Sequence, residues 1–310
     1  MADLNDLLVK TSRTFGISIP ILPEPWRRQV TIAYLLFRIA DTFEDADRWG
    51  AATKLEALRR FHAMLTEPAP KMPSEWLANP PCDHAGYIEL LAETPFVLDA
   101  LAALDPEPRA HIIQETRRTI EGMSEYVSRT DEHGTLRLTD MEDLRHYCYY
   151  VAGIVGEMLT ELFLIGQKVS ARQRKAILGQ ARLFGEGLQL VNILKDSASD
   201  ARVGRYYLPQ SLERAKVLAL ARQSLVAAKD YILTVHRGGA PGGVLGFLIL
   251  PLVLAWATLD RVEAHGSGAK LTRPEVLRLL ERVQEIADQP KPKISEKMFE
   301  ELYAEMRFER

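Results

Sequence analysis

Apolar side chains return every three to four residues along most of this chain, and alternation with period two is rare. The pattern predicts helices over about 25–47, 51–65, 87–103, 106–127, 139–166, 170–200, 209–236, 242–264, 273–288 and 294–308. Pro25 opens the first of them, in keeping with the preference of proline for the first helical turn. Residues 66–86 are rich in proline and read as an ordered loop. No Asn-Gly or Asp-Gly turn separates two apolar runs, and no repeat or low-complexity linker divides the chain. Several helices are apolar on more than one face. The expectation is therefore one all-α domain, residues 1–310, built around a central cavity.

One segment tests that reading. Residues 238–259, GGAPGGVLGFLILPLVLAWATL, carry no charge and are long enough to span a bilayer. Pro251 splits the run, its start is broken by glycine and proline, and only 244–259 is strongly apolar. A buried helix lining an apolar cavity accounts for the same letters, with a helix that touches lipid without crossing it as the alternative.

Composition narrows the function. The chain is 47% apolar and 26% charged with a net charge of −3, which suits a packed core and gives no basic face for nucleic acid. Cys82 and Cys148 have neither disulfide-framework nor metal-ligand spacing. The first residues lack the basic start and apolar core of an export signal. These features point to a cytoplasmic protein, a monomer or weak oligomer, with peripheral contact at the inner face of a membrane as an option.

The chemistry gathers at two places. In YLLFRIADTFED, Asp41 and Asp45 are four residues apart and Glu44 lies three after Asp41. In GLQLVNILKDSASDARVGRYYLP, Asn192, Asp196 and Asp200 are spaced by four and Gln189 lies three before Asn192. At ~3.6 residues per turn each set forms a column on one helix face. Oxygen donors without His or Cys select hard cations such as Mg²⁺, which binds through a few carboxylates and substrate phosphates. Arg38, Lys195, Arg205 and Arg13 are the bases nearest these columns and could hold phosphate oxygens. Phe15, Tyr34, Tyr150 and Phe247 could steady a carbocation in an adjoining apolar cavity. Either acidic cluster alone is ordinary on a solvated helix. Two in one all-helical chain, each after an apolar helix, are not.

With these segments quoted, the chain resembles the squalene/phytoene synthase family over roughly residues 11–260. SRTFGISIPILP (12–23), YLLFRIADTFED (34–45), HYCYYVAGIVGEMLTELF (146–163) and QLVNILKDSASDARVGRYYLP (189–209) resemble its motifs in its order. A short match, EGM at 121–123, adds little alone. The resemblance implies an all-α isoprenoid-synthase fold that condenses two prenyl diphosphates 1′–1 through a cyclopropyl diphosphate. In the squalene branch NADPH then reduces the intermediate. It implies Mg²⁺ ligation by Asp41, Glu44, Asp45, Asn192, Asp196 and Asp200, and diphosphate contacts from Arg38, Lys195 and Arg205, with Gln189 beside them. Tyr150 matches a tyrosine of the first half-reaction and Phe247 an aromatic that steadies later cations. Ser12 and Arg13 match a segment near diphosphate or reductant. Ser199 stands where the family commonly has Glu, which lowers the charge of the second column by one.

The segments lean toward a bacterial-type squalene synthase, although the D-A-R-x-G-R-Y-Y-L-P-Q tail leans toward phytoene synthases. The alternatives are phytoene, dehydrosqualene or hydroxysqualene synthesis without reduction, and a non-catalytic family member. A terpene cyclase shares the Asn-Asp-Asp spacing but not the Y-C-Y-Y-V-A-G helix.

Overall fold

The computed structural model describes residues 3–12, 14–68, 70–289 and 291–307. The helices are α1 (Leu4–Thr11), α2 (Phe15–Ser18), α3 (Trp26–Glu44), α4 (Ala51–Met64), α5 (Glu75–Ala78), α6 (Ala85–Ala92), α7 (Thr94–Ala102), α8 (Pro106–Ser128), α9 (Met141–Cys148), α10 (Ile154–Leu164), α11 (Ala171–Arg202), α12 (Arg214–Arg237), α13 (Gly242–His265), α14 (Arg273–Ala287) and α15 (Glu296–Arg307). Two strands of two residues each, β1 (Leu136–Arg137) and β2 (Arg205–Tyr206), pair in parallel with Leu136 opposite Arg205. The all-α expectation is borne out, and this short bridge is the departure from it.

Most of the predicted helices appear with ends moved by a few residues. Helix α1 was not anticipated, because eight residues carry too little periodicity to stand out. The 87–103 prediction divides at Glu93 and Thr94, where Pro95 begins a new first turn. The 139–166 prediction divides at a π-helical turn, Tyr149–Gly153, between α9 and α10.

Tertiary contacts explain that extra residue in the turn. A Cβ on Gly156 would lie 2.2 Å from the Ala181 carbonyl oxygen, and one on Gly185 2.1 Å from that of Ala152. The turn and α10 thus meet α11 nearly backbone to backbone, which only glycine permits. Helix α11 also packs on α12 and α13, and α3 packs on α4, α7 and α8. One continuous apolar cluster runs from Leu7 to Leu302.

The apolar segment forms α13, which by length and composition could cross a membrane. In the structure 83% of its most apolar window is buried. Phe247, Pro251, Leu254, Ala255 and Thr258 of this helix face a central cavity, as the buried-helix reading expects.

Candidate active site

The central cavity encloses about 320 Å³ between α2, α3, the π turn with α10, α11 and α13. Its walls are apolar, with Phe15, Phe37, Leu159, Phe184 and Phe247 among them. Its polar edge is supplied by Arg38 and Asp41 from α3 and by Gln189, Asn192 and Lys195 from α11. Asp41 of the first column and Gln189 and Asn192 of the second therefore share this edge; Glu44, Asp45, Asp196 and Asp200 do not line the cavity itself, although Asp45 and Asp200 are close enough to act on each other. A larger cavity, about 880 Å³, lies at the far end of α13 against α14 and α15. Its acids are engaged locally: Asp260 by Arg222 at 2.9 Å and by Tyr303, Glu275 by Arg261. None of the predicted site residues lines it, so chemistry favours the smaller cavity.

Around the opening each base meets an acid. Arg38 Nη1 lies 3.2 Å from Asp41, Lys195 Nζ 3.2 Å from Asp196, and Arg205 Nη1 2.7 Å from Asp45. Lys195 also donates to the Asn192 amide oxygen at 3.3 Å. Arg38 is aimed by Tyr34, whose hydroxyl accepts from the guanidinium at 3.1 and 3.2 Å and donates to the Thr11 carbonyl at 2.9 Å. The Tyr34 and Tyr87 rings flank the same guanidinium at 5.5 and 5.4 Å.

The placement of the first column is electrostatically uphill. Asp41 and Glu44 lie in the last turn of α3 and Asp45 is its C-cap, at the negative end of the helix dipole; that turn carries no base, and Arg38, one turn earlier, pairs only with Asp41. The helix end is capped from elsewhere: Lys54 of α4 donates to the Glu44 carbonyl at 2.9 Å, and Arg205 donates to the Asp45 carbonyl at 2.7 Å. Burial pushes Asp41 up to about 6, with Arg38 opposing and Asp45 adding. Glu44 is raised well above the carboxylate range, by burial first and then by Asp45 and Asp41. Asp200 rises to about 6, through burial, then Asp196, with Asp45 contributing from across the opening. Crowded carboxylates whose charge is disfavoured are what a cation would relieve.

Among the described residues no three acidic, histidine or cysteine side chains close into a ready metal cage. That matches a hard ion held through waters and substrate phosphates better than one held by protein alone. The all-oxygen donors and the raised carboxylates fit Mg²⁺.

Other expectations fare differently. Phe247 lines the cavity. Tyr150 does not: its ring lies over Gly122, where a Cβ would come within 2.1 Å, and beside His146. The π turn instead presents Val151 and Ala152 to the cavity. Gly122 belongs to the EGM match, so that short motif has a steric reason. Ser12 accepts the Gly16 N–H at 3.0 Å, and Arg13 lies outside the described residues. Sequence reasoning missed Lys54, ten residues from Glu44 on the next helix, and Tyr147, which meets Glu44 across 103 residues and stacks on Tyr207.

The squalene/phytoene synthase family model matches residues 8–216. Squalene synthase LSS of Botryococcus braunii is 32% identical over 197 residues, 63% of this chain and 38% of that protein. Squalene synthase ERG9 of Candida albicans is 30% identical over 207 residues, 67% of this chain and 45% of that protein. The chain thus spans about two fifths of the length of the curated relatives it matches. Among solved structures, TcSQS with the ligand E5700 superposes with a TM-score of 0.73 at 24% identity, over 98% of this chain and 90% of that one. A dehydrosqualene synthase with a ligand gives 0.57 at 18%, over 91% and 94%. These structures share the fold, and the match of the family model over residues 8–216 establishes that the chain belongs to the squalene/phytoene synthase family.

Proposed function

We propose that this chain joins two molecules of farnesyl diphosphate head to head, forming a cyclopropyl diphosphate that is then reduced to squalene. The observation that carries the reading is a set of three acid–base pairs beside an apolar cavity: Arg38–Asp41 on its edge, Lys195–Asp196 with Lys195 on that edge, and Arg205–Asp45. A magnesium–diphosphate complex brings both signs of charge to such a set. Asp41, Glu44, Asp45, Asn192, Asp196 and Asp200 would exchange their basic partners for the metal. Arg38, Lys195 and Arg205 would exchange carboxylates for phosphate oxygens, with Gln189 donating beside them.

Bound Mg²⁺ would supply charge neutralisation that makes diphosphate a better leaving group. The residues themselves bind, orient and exclude water. Phe15, Phe37, Phe184 and Phe247 surround the carbon chains with low-dielectric walls, and their ring faces favour a developing cation. Condensation releases one diphosphate and one proton. NADPH, when bound, would supply the hydride that replaces the second diphosphate as it leaves. That reductant is proposed from the likeness to squalene synthases alone: Ser12 spends its hydroxyl within its own turn and offers no built cradle.

The test is a product assay with Mg²⁺ and farnesyl or geranylgeranyl diphosphate, with and without NADPH, read by gas chromatography–mass spectrometry. Squalene formed only with farnesyl diphosphate and NADPH supports the proposal. A C40 or dehydrogenated hydrocarbon formed without NADPH would move the chain to the carotenoid branch. Absence of any condensed product, diphosphate or alcohol from either substrate would point to a non-catalytic member.

A further inference from the structure

A stack of three tyrosines leads from the protein interior to the acidic end of α3. Tyr126 of α8 meets Tyr147 of α9 edge-on at 4.9 Å, and Tyr147 stacks on Tyr207, just past β2, at 4.7 Å and 21°. Tyr147 is 4% exposed and Tyr207 8%. The Tyr126 hydroxyl is engaged by Asp143, away from the opening. The Tyr147 hydroxyl lies 3.4 Å from Glu44 Oε1, a long hydrogen bond, and the stacked Tyr207 phenol is close enough to act on it electrostatically. Among the described residues this is the one hydrogen bond that the Glu44 carboxylate receives. The phenol is the donor of this bond and the Glu44 oxygen its acceptor. A buried phenol needs such a partner, and its rings are fixed by the stack.

The two sides of the opening are thereby joined twice to the segment after α11. Arg205 holds Asp45, and Tyr207 backs the tyrosine that holds Glu44. We propose that Tyr147 is a positioning residue for the first acidic column, fixing the Glu44 carboxylate so that it can serve a metal ion jointly with Asp41 and Asp45. This rests on the function proposed above for that column. Outer partners of metal-ligating carboxylates commonly set ion affinity without touching the ion. Tyr147 touches neither metal nor substrate in this reading.

The experiment is calorimetric titration of inorganic pyrophosphate into the full chain at a series of Mg²⁺ concentrations, paired with thermal unfolding. Tyr147→Phe keeps the ring stack and deletes one hydroxyl. It is expected to need roughly tenfold more Mg²⁺ for half-maximal pyrophosphate binding, with a melting temperature near that of the parent. Tyr126→Phe, in the same stack but bonded elsewhere, is expected to leave the Mg²⁺ requirement alone. Tyr207→Phe, which removes the backing hydroxyl, is expected to shift it in the same direction by less, and serves if Tyr147→Phe does not fold. An unchanged Mg²⁺ requirement in both Tyr147→Phe and Tyr207→Phe overturns the proposal, as does an equal shift in Tyr126→Phe accompanied by lower melting temperatures. If the unaltered protein binds no pyrophosphate at any Mg²⁺ concentration, the functional reading falls and takes this one with it.

Discussion

Arg205 grips Asp45 twice across 160 residues of sequence, with Nη1 2.7 Å from the carboxylate and Nη2 donating to the backbone carbonyl at 2.7 Å. One guanidinium thus caps a helix and neutralises an acid beside the cavity. The Arg205 side chain is 20% exposed and that of Asp45 53%, so the guanidinium is sheltered while the acid stays open to a ligand.

Arg205→Met should therefore lower kcat/KM for farnesyl diphosphate by roughly thirty- to a hundredfold, the loss of about 2–3 kcal/mol of charged hydrogen bonding. Arg205→Lys should recover part of it, since charge returns without the fork. Steady-state kinetics at saturating Mg²⁺ would show this, and an unchanged kcat/KM would remove Arg205 from the site.

The raised carboxyls set two pH dependences of opposite sense. Asp41 and Asp200 hold their protons to about pH 6 in the fold, against an ordinary value of 3.8. Between those values the folded protein binds protons that the unfolded chain has released, so metal-free stability falls as pH rises through 4 to 6. Partial exposure limits this to about 1 kcal/mol for each group. Mg²⁺ competes for the same oxygens, so Mg²⁺-dependent pyrophosphate binding should strengthen as pH rises through 6. Melts in chelator and titrations with Mg²⁺, both from pH 4.5 to 7.5, would reveal the crossing trends. Parallel trends would contradict the assignment.

A different acid governs the other side of the scale. Asp143 accepts both Arg129 Nη atoms at 2.6 and 2.5 Å and the Thr139 N–H at 2.9 Å, which pulls it down to about 2. A depressed value means that its stabilisation is complete above 3.8 and disappears as pH falls through 2. Asp143→Asn should cost about 2–3 kcal/mol at pH 7, because the Arg129 guanidinium loses its ionised partner. The deficit measured by denaturant unfolding should shrink toward pH 2. An equal deficit at both pH values would mean that charge is not its source.

Gly185→Ala tests the close contact behind the cavity. Its methyl would meet the Ala152 carbonyl oxygen at 2.1 Å, and neither partner is a flexible side chain. The expected cost is about 2–3 kcal/mol of stability, as for an overpacked core, with α11 pushed away from the π turn. Ala152 and Gly185 both line the cavity, so turnover should fall as well. A stable, fully active variant would show that the two segments separate freely.

Local pattern carried much of the fold and part of the site. The helix of Pro25 and the apolar segment of Pro251 were legible because their periodicity and breakers lie within one stretch. The two oxygen columns were legible for the same reason: spacing by three and four acts within one helix. The π turn was not, because its cause is the contact of Gly153 and Gly156 with residues near 181 on another helix. The β1–β2 bridge joins residues 69 apart, and Tyr147 meets Glu44 across 103. Neither leaves a mark in nearby sequence. Tyr150 matched a motif letter for letter, yet the turn directs its ring to Gly122 and gives the cavity wall to Val151 and Ala152.

The order in which the chain is made gives the Arg205 cap a further meaning. When α3 leaves the ribosome, the residue that will cover its last carbonyl is 160 positions away, roughly ten to thirty seconds of synthesis. Until then three crowded acids sit on a helix end that Lys54 alone caps, and that end should fray. The strand that delivers Arg205 is itself held by β1, which is also made later. The mouth of the cavity is therefore a late product of folding: a nascent chain can acquire its first helices long before it can hold a diphosphate.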